Sequence, residues 1–184
     1  MDAAMEMLRG QHPKKEILPG GILYYHIDDP VLESDTPLSD EEAEQALLFA
    51  LRPDGLVNSG EEIYRAMDQN FEGKSQMIPV EIKKNGEIST ARSKVASTEE
   101  FAVITRYVEH EIRQCGEAIY AGNIAVNPYR SDIETSCTYC PYGSVCGMDA
   151  KIPGYEYRQF ASMKKEEVLD QMQTELARNR GKEE

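Results

Sequence analysis

The chain has 184 residues, of which 40% are apolar and 29% charged, and its formal net charge is −13. That is long enough for one ordinary domain with a real core. No apolar run approaches the roughly 20 residues of a membrane-spanning helix. A free-standing nucleic-acid-binding domain is usually basic, so any contact with DNA is local or made as part of something larger. The charge is uneven, with eight acids and no bases between Asp28 and Glu44, and four bases against one acid between Lys83 and Lys94.

Taken in chain order, MDAAMEMLRG (1–10) reads as the last turns of a helix ended by Gly10, with neither a signal nor a transit peptide. HPKKEILPGG is a linker. GILYYHI (21–27) is β-branched and aromatic, apolar on both faces apart from His26, and predicts a buried, central strand stopped by Asp28-Asp29-Pro30. Ser39 and Glu42 make a capping box, and a helix follows to about Leu51. PDG and NSG punctuate. EEIYRAMD (61–68) is a short helix, and IPVEIKKNGEIS predicts two strands around an Asn85-Gly86 turn.

Ser97 and Glu100 form a second capping box. The helix it opens runs from about 98 to 121 and stops at Gly122. Steps of three and four join Phe101, Ile104, Val108, Ile112, Cys115 and Ile119 into one core-facing stripe. Arg106, His110, Arg113 and Glu117 fall on the opposite, wet face. Residues 123–160 are loop-rich, and a charged amphipathic helix over about 163–178 ends in a frayed tail.

The loop-rich stretch carries TSCTYCPYGSVCGMD, with Cys137, Cys140 and Cys146 at C-x2-C-x5-C spacing. Thiolates are soft ligands that favour zinc, copper(I) or iron–sulfur clusters. A C-x2-C step lets one turn present two sulfurs to one centre. Pro141 stiffens the loop, and Gly143 and Gly147 let backbone amides approach the sulfurs. Four cysteines in an acidic chain without a secretory signal point to a reducing, cytoplasmic setting, where clustered cysteines bind metal more often than they pair. A fourth ligand is missing from the block. Cys115 reads as a buried structural thiol, His110 faces solvent, His26 reads as a core histidine and His12 lies in a linker. None has the spacing of a compact zinc module.

Several of these blocks together, GILYYHIDDP, KSQMIPVEIKKNGEISTARSKVASTEEF, GNIAVNPYR and CTYCPYGSVCGMDAKIPGYEYRQF, closely resemble the C-terminal end of the B subunit of AddAB-type ATP-dependent helicase–nucleases, the AddB/RexB family. The resemblance covers nearly the whole chain in order, and the cysteine block with its PG-x-x-YR continuation is its most specific part. It implies an α+β (mixed α/β) fold: the C-terminal part of a PD-(D/E)XK nuclease domain with a helical extension and a cysteine-rich iron–sulfur loop. It implies that Cys137, Cys140 and Cys146 are three ligands of a [4Fe–4S] cluster whose fourth ligand lies far upstream, outside this chain. It also implies a parent that processes double-strand DNA ends for recombinational repair with the A subunit of the heterodimer, ATP and Mg²⁺.

Such nucleases hold a divalent cation with an Asp and an (Asp/Glu)-x-Lys on adjacent strands. Asp68 with Glu81-Ile82-Lys83 matches in form and reads as a decoy, because Asp68 ends a helical segment and Lys83 sits at a hairpin tip. The resemblance places the catalytic strands upstream of the helix represented by residues 1–10, so no catalytic residue is assigned here. Asp28-Asp29 reads as turn acids. There is no Walker A motif, and ATP and Mg²⁺ are assigned to the parent complex. Lys83, Lys84, Arg92 and Lys94 either touch DNA phosphates or are simply solvated.

The chain is thus expected to be one partial domain, with the nuclease core's end over 1–30, helices and a hairpin over 31–122, the cluster loop over 123–160 and a helix and tail over 161–184. The competing reading is a self-contained zinc-binding interaction module that completes its site with Cys115 or a histidine.

Overall fold

A computed structural model describes residues 2–27, 29–69 and 71–180, and leaves out the side chains of Asp2 and Arg180. Asp28 of the acidic pair therefore lies outside the described residues. The chain divides into two compact units, residues 1–105 and 106–184. Helices and strands mix in both, as the mixed α/β reading expects.

The first unit opens with α1 (Asp2–Gln11), which continues one residue past Gly10. Its sheet has three strands in the order β1-β2-β3: β1 (Gly21–Tyr24), β2 (Asp54–Asn58) and β3 (Val95–Ala96). β1 runs antiparallel to β2, with Gly21 opposite Val57 and Tyr24 opposite Asp54. β3 runs parallel to β2, with Val57 opposite Val95.

Two expectations are corrected here. β1 is an edge strand, about half the predicted length, and Tyr24 and Tyr25 are 67% and 64% exposed. The central place belongs to β2, which sits between the PDG and NSG turn signals. Those signals mark its ends, and its short apolar stretch is completed by partners on both sides. Gly55 at its start has φ +142°, and a Cβ there would overlap the Ile22 carbonyl oxygen, so only glycine lets β1 approach.

α2 (Asp40–Ala50) begins at the predicted capping box: Ser39 N donates to Glu42 Oε2 at 2.9 Å and Glu42 N donates to Ser39 Oγ at 3.3 Å. The helix buries no residue. Phe49 at its end is instead held by cations, with Lys74 Nζ 3.9 Å and the Arg52 guanidinium 4.7 Å from the ring centroid. α3 (Glu61–Met67) turns Tyr64 into the core. That core joins Val57, Tyr64, Phe71, Ile78, Val80, Ile82 and Val95, with Met67 and Ile88 against it. The predicted hairpin is pared to a single bridge, Ile82 opposite Ile88, around a turn in which Gly86 takes φ +85°, and Lys74 opposite Glu81 forms a separate bridge before it.

Asn58 ends β2 and is 1% exposed. Its amide nitrogen donates to Pro19 O at 2.8 Å and Thr98 Oγ1 at 3.0 Å, and its Oδ1 accepts from Gly60 N at 2.9 Å. One buried side chain thus satisfies the linker before β1, the start of α3 and the start of α4 (Thr98–Tyr120).

α4 matches its expected span. Its capping box is present, with Ser97 N donating to Glu100 Oε2 at 2.7 Å and Glu100 N to Ser97 Oγ at 3.2 Å. It ends in a Schellman motif, with Asn123 N donating to Ala118 O and Gly122 N to Ile119 O. The predicted stripe is core-facing only at its start. Phe101 is fully buried, whereas Ile112 and Ile119 are 67% and 77% exposed.

In the second unit the covered face of α4 is instead polar. Tyr107 donates to Glu175 Oε2 at 3.2 Å, and His110 Nε2 lies 2.8 Å from Asn179 Nδ2, both partners standing on α6 (Lys165–Arg180). Periodicity finds an apolar face, but the partner decides which face is covered. Between these helices in the chain stand β4 (Tyr129–Ser131), α5 (Gly143–Cys146) and β5 (Arg158–Phe160). No described helix is long and apolar enough to cross a membrane.

Candidate metal centre and basic surface

The cysteine loop has a stem that its sequence does not predict. β4 and β5 pair in parallel, with Tyr129 opposite Arg158 and Ser131 opposite Phe160. The NPYR and YRQF blocks are thereby joined, and the intervening chain with its three cysteines is closed at its base. Tyr129 and Phe160 meet edge to face at 5.8 Å. Arg158 Nε donates to Asn127 O at 3.0 Å, and the Arg130 guanidinium lies 5.5 Å from the Tyr157 ring centroid. The PG-x-x-YR continuation is therefore the return arm of the stem. The signal is in the sequence as two short aromatic–arginine blocks, but nothing local says that they pair.

Inside the loop, Cys137 N donates to Thr135 Oγ1 at 3.1 Å and Cys140 N to Cys137 O at 3.3 Å, so C-x2-C forms one turn. After Pro141, α5 carries Cys146, whose N–H donates to Tyr142 O at 2.8 Å. Gly147 caps this turn at φ +63°. Cys137 and Cys146 are half-buried, Cys140 is exposed, and all four cysteines are free thiols. Among the described residues no three His, Cys, Asp or Glu side chains are gathered at metal-ligand distance. Thiols are soft donors of the kind that a thiolate-bound centre takes.

The other candidate ligands are relocated. Cys115, expected buried, is exposed on the open stripe of α4. His26, expected in the core, is exposed beyond β1. His110, expected in solvent, is half-buried, with Gln114 Nε2 at 2.7 Å and Asn179 Nδ2 at 2.8 Å from its Nε2.

The three residues of the nuclease-like triplet each have a partner. Asp68 is the C-cap of α3 and accepts from Ser75 Oγ at 2.7 Å. Glu81 is paired with Arg92 at 2.9 Å, and Lys83 stands at the turn, 4.0 Å from Glu87. Of the four hairpin bases, Arg92 is committed to Glu81. Lys94 is committed to both Asp54 oxygens at 2.7 and 2.6 Å, which holds the Asp54 carboxyl below its usual range.

The family model described as the PD-(D/E)XK nuclease superfamily matches residues 1–147. The chain belongs to the PD-(D/E)XK nuclease superfamily. Within it, the chain is 37% identical over 176 residues to the B subunit of an ATP-dependent helicase/deoxyribonuclease from Thermoanaerobacter sp., covering 96% of this chain and 15% of that protein. The B subunit of the same name from Lachnoclostridium phytofermentans is 36% identical over 184 residues, 95% of this chain and 16% of that one. That of Clostridium botulinum is 39% identical over 158 residues, 86% and 14%. This PD-(D/E)XK chain thus spans about 15% of the length of the curated relatives it matches. The match to the superfamily model ends one residue past Cys146, so the C-x2-C-x5-C block lies within it and the β5 return arm beyond it.

Proposed function

We propose that this chain is part of the B subunit of an ATP-dependent helicase–deoxyribonuclease, in which Cys137, Cys140 and Cys146 supply three ligands of a structural [4Fe–4S] cluster. The observation that carries the reading is the 37% identity over 96% of the chain to proteins of that name, in a chain whose only cysteine block has C-x2-C-x5-C spacing. The parent would act in the cytoplasm on double-strand DNA ends for recombinational repair, with the A subunit of the heterodimer, ATP and Mg²⁺.

A cluster bound there would act as a cross-link between distant parts of a chain. This chain's own residues supply the frame. The β4–β5 stem closes the loop, the C-x2-C turn presents Cys137 and Cys140, and α5 with Gly147 presents Cys146. The reading gives no catalytic role to Asp68, Glu81 or Lys83.

The test is metal analysis with a visible spectrum on protein purified without oxygen, beside Cys137→Ala and Cys115→Ala. Iron and sulfide with absorption near ~400 nm, lost in Cys137→Ala and kept in Cys115→Ala, is the expected result. One zinc per chain, lost in both variants, would replace it with the self-contained zinc module.

A further inference from the structure

A cleft of about 570 Å³ opens in the first unit between the end of α3 and the hairpin turn. Its volume falls in the ~300–1,000 Å³ range of ligand sites, yet its walls are not those of an apolar pocket. Arg65, Lys83 and Lys84 line it, with Glu72 the one acid and Ile82 the one large apolar side chain. The hairpin's other two cations are held in the pairs with Glu81 and Asp54. Lys83 is only loosely paired, and Lys84 has no ion-pair partner among the described residues.

Arg65 is held more firmly than the lysines, and its Nε also lies 4.0 Å from Glu61 one turn earlier in α3. Its guanidinium lies 5.1 Å from the Phe71 ring centroid and 5.7 Å from that of Tyr64, and its Nη1 donates to Phe71 O at 3.1 Å. A guanidinium fixed in this way loses little freedom on meeting an anion, and its planar fork suits phosphate oxygens. Gly73 and Gly86 complete the lining at φ +72° and +85°, and nothing lies within 4 Å of where a Cβ would stand on either. Both glycines are exposed, so this edge of the cleft is bare backbone that a second backbone can approach closely.

We propose that this cleft seats the phosphodiester backbone of a DNA strand, with Arg65 as the positioned contact and Lys83 and Lys84 as flexible ones. The proposal rests on the helicase–nuclease reading for its choice of strand. Glu72 weakens binding at the rim. Cations that neutralise phosphates bind in a salt-dependent way and carry no sequence preference.

The experiment is fluorescence anisotropy of a labelled single-stranded oligonucleotide with the whole chain at several salt concentrations. The double variant Lys83→Gln, Lys84→Gln should weaken binding roughly tenfold and lower the slope of log affinity against log salt by about 1.4, at ~0.7 for each phosphate no longer neutralised. Glu72→Gln should tighten binding. Arg92→Gln with Lys94→Gln removes the same charge from already paired cations and should change affinity by less than about twofold. Equal loss in the two double variants, no loss in the first, or no binding by the unaltered chain would overturn the cleft. Displacement of the oligonucleotide by inorganic phosphate at matched ionic strength would assign it to a free anion and overturn the strand. Iron and sulfide analysis of the same sample tests the underlying reading separately: a cluster present, with affinity unchanged in Lys83→Gln, Lys84→Gln, defeats the cleft alone.

Discussion

Asp68 Oδ2 accepts a 2.7 Å hydrogen bond from the hydroxyl of Ser75, a residue with no exposed surface. The same hydroxyl oxygen accepts from Met77 N and Ile78 N at 3.0 Å each. The carboxylate thus anchors the loop that leads into the hairpin, and its chemistry is that of a staple. Asp68→Ala is expected to cost about 1.5–3 kcal/mol of stability, the range for a charged hydrogen bond whose partner stays buried. Urea unfolding checks this, and an unchanged midpoint would remove the staple.

Asn58 makes three bonds from one buried side chain. Asn58→Ala strands the Pro19 carbonyl and the Gly60 N–H, and should cost about 2–4 kcal/mol. Asn58→Asp should be no better, because it replaces two donors with an acceptor facing a carbonyl. Thermal melts of the two variants decide.

Gly55 has no room for a side chain. Gly55→Ala would drive a Cβ into the Ile22 carbonyl and strain a backbone at φ +142°. The strain alone is worth about 1–3 kcal/mol. The expected outcome is loss of β1 from the sheet, read as lost hydrogen-exchange protection over residues 21–24 while Val57 stays protected through its bond to Lys94 O.

The apolar stripe of α4 changes character along its length. Phe101→Ala should cost about 3–5 kcal/mol, as for a large core side chain. Ile112→Ala should lie within about 0.5 kcal/mol of the unaltered protein, as for an exposed position. Comparable losses at both positions would show that the second half of the stripe is covered in solution.

Tyr107 carries a pH signature. Burial, then the charges of Glu111 and Glu175, push its phenol from 10.0 up to about 12. The folded chain holds this proton more tightly than the unfolded one. The contribution to stability is therefore whole below pH 10 and is lost as pH climbs toward about 12. Alkaline denaturation should be shallower over that interval in Tyr107→Phe, and superimposable curves would refute the coupling.

Features that depend on neighbours a few residues apart are legible in the sequence. Both capping boxes, the span of α4, its stop at Gly122 and the turn at Asn85-Gly86 are local hydrogen-bond chemistry, and they stand where the residue types put them. The cysteine spacing and the family resemblance are legible for the same reason, as contiguous blocks. Features that depend on partners far along the chain emerge only in three dimensions. β2 becomes central because β1 and β3 arrive on either side of it. The cysteine loop gains a stem because Tyr129 and Phe160 come together. Asp68 and Glu81 find Ser75 and Arg92 as partners, and Cys115 is left in the open. Short strands and single side chains carry too little local free energy to specify a partner. Burial and long-range pairing choose it, and no window of the sequence contains both sides of that choice.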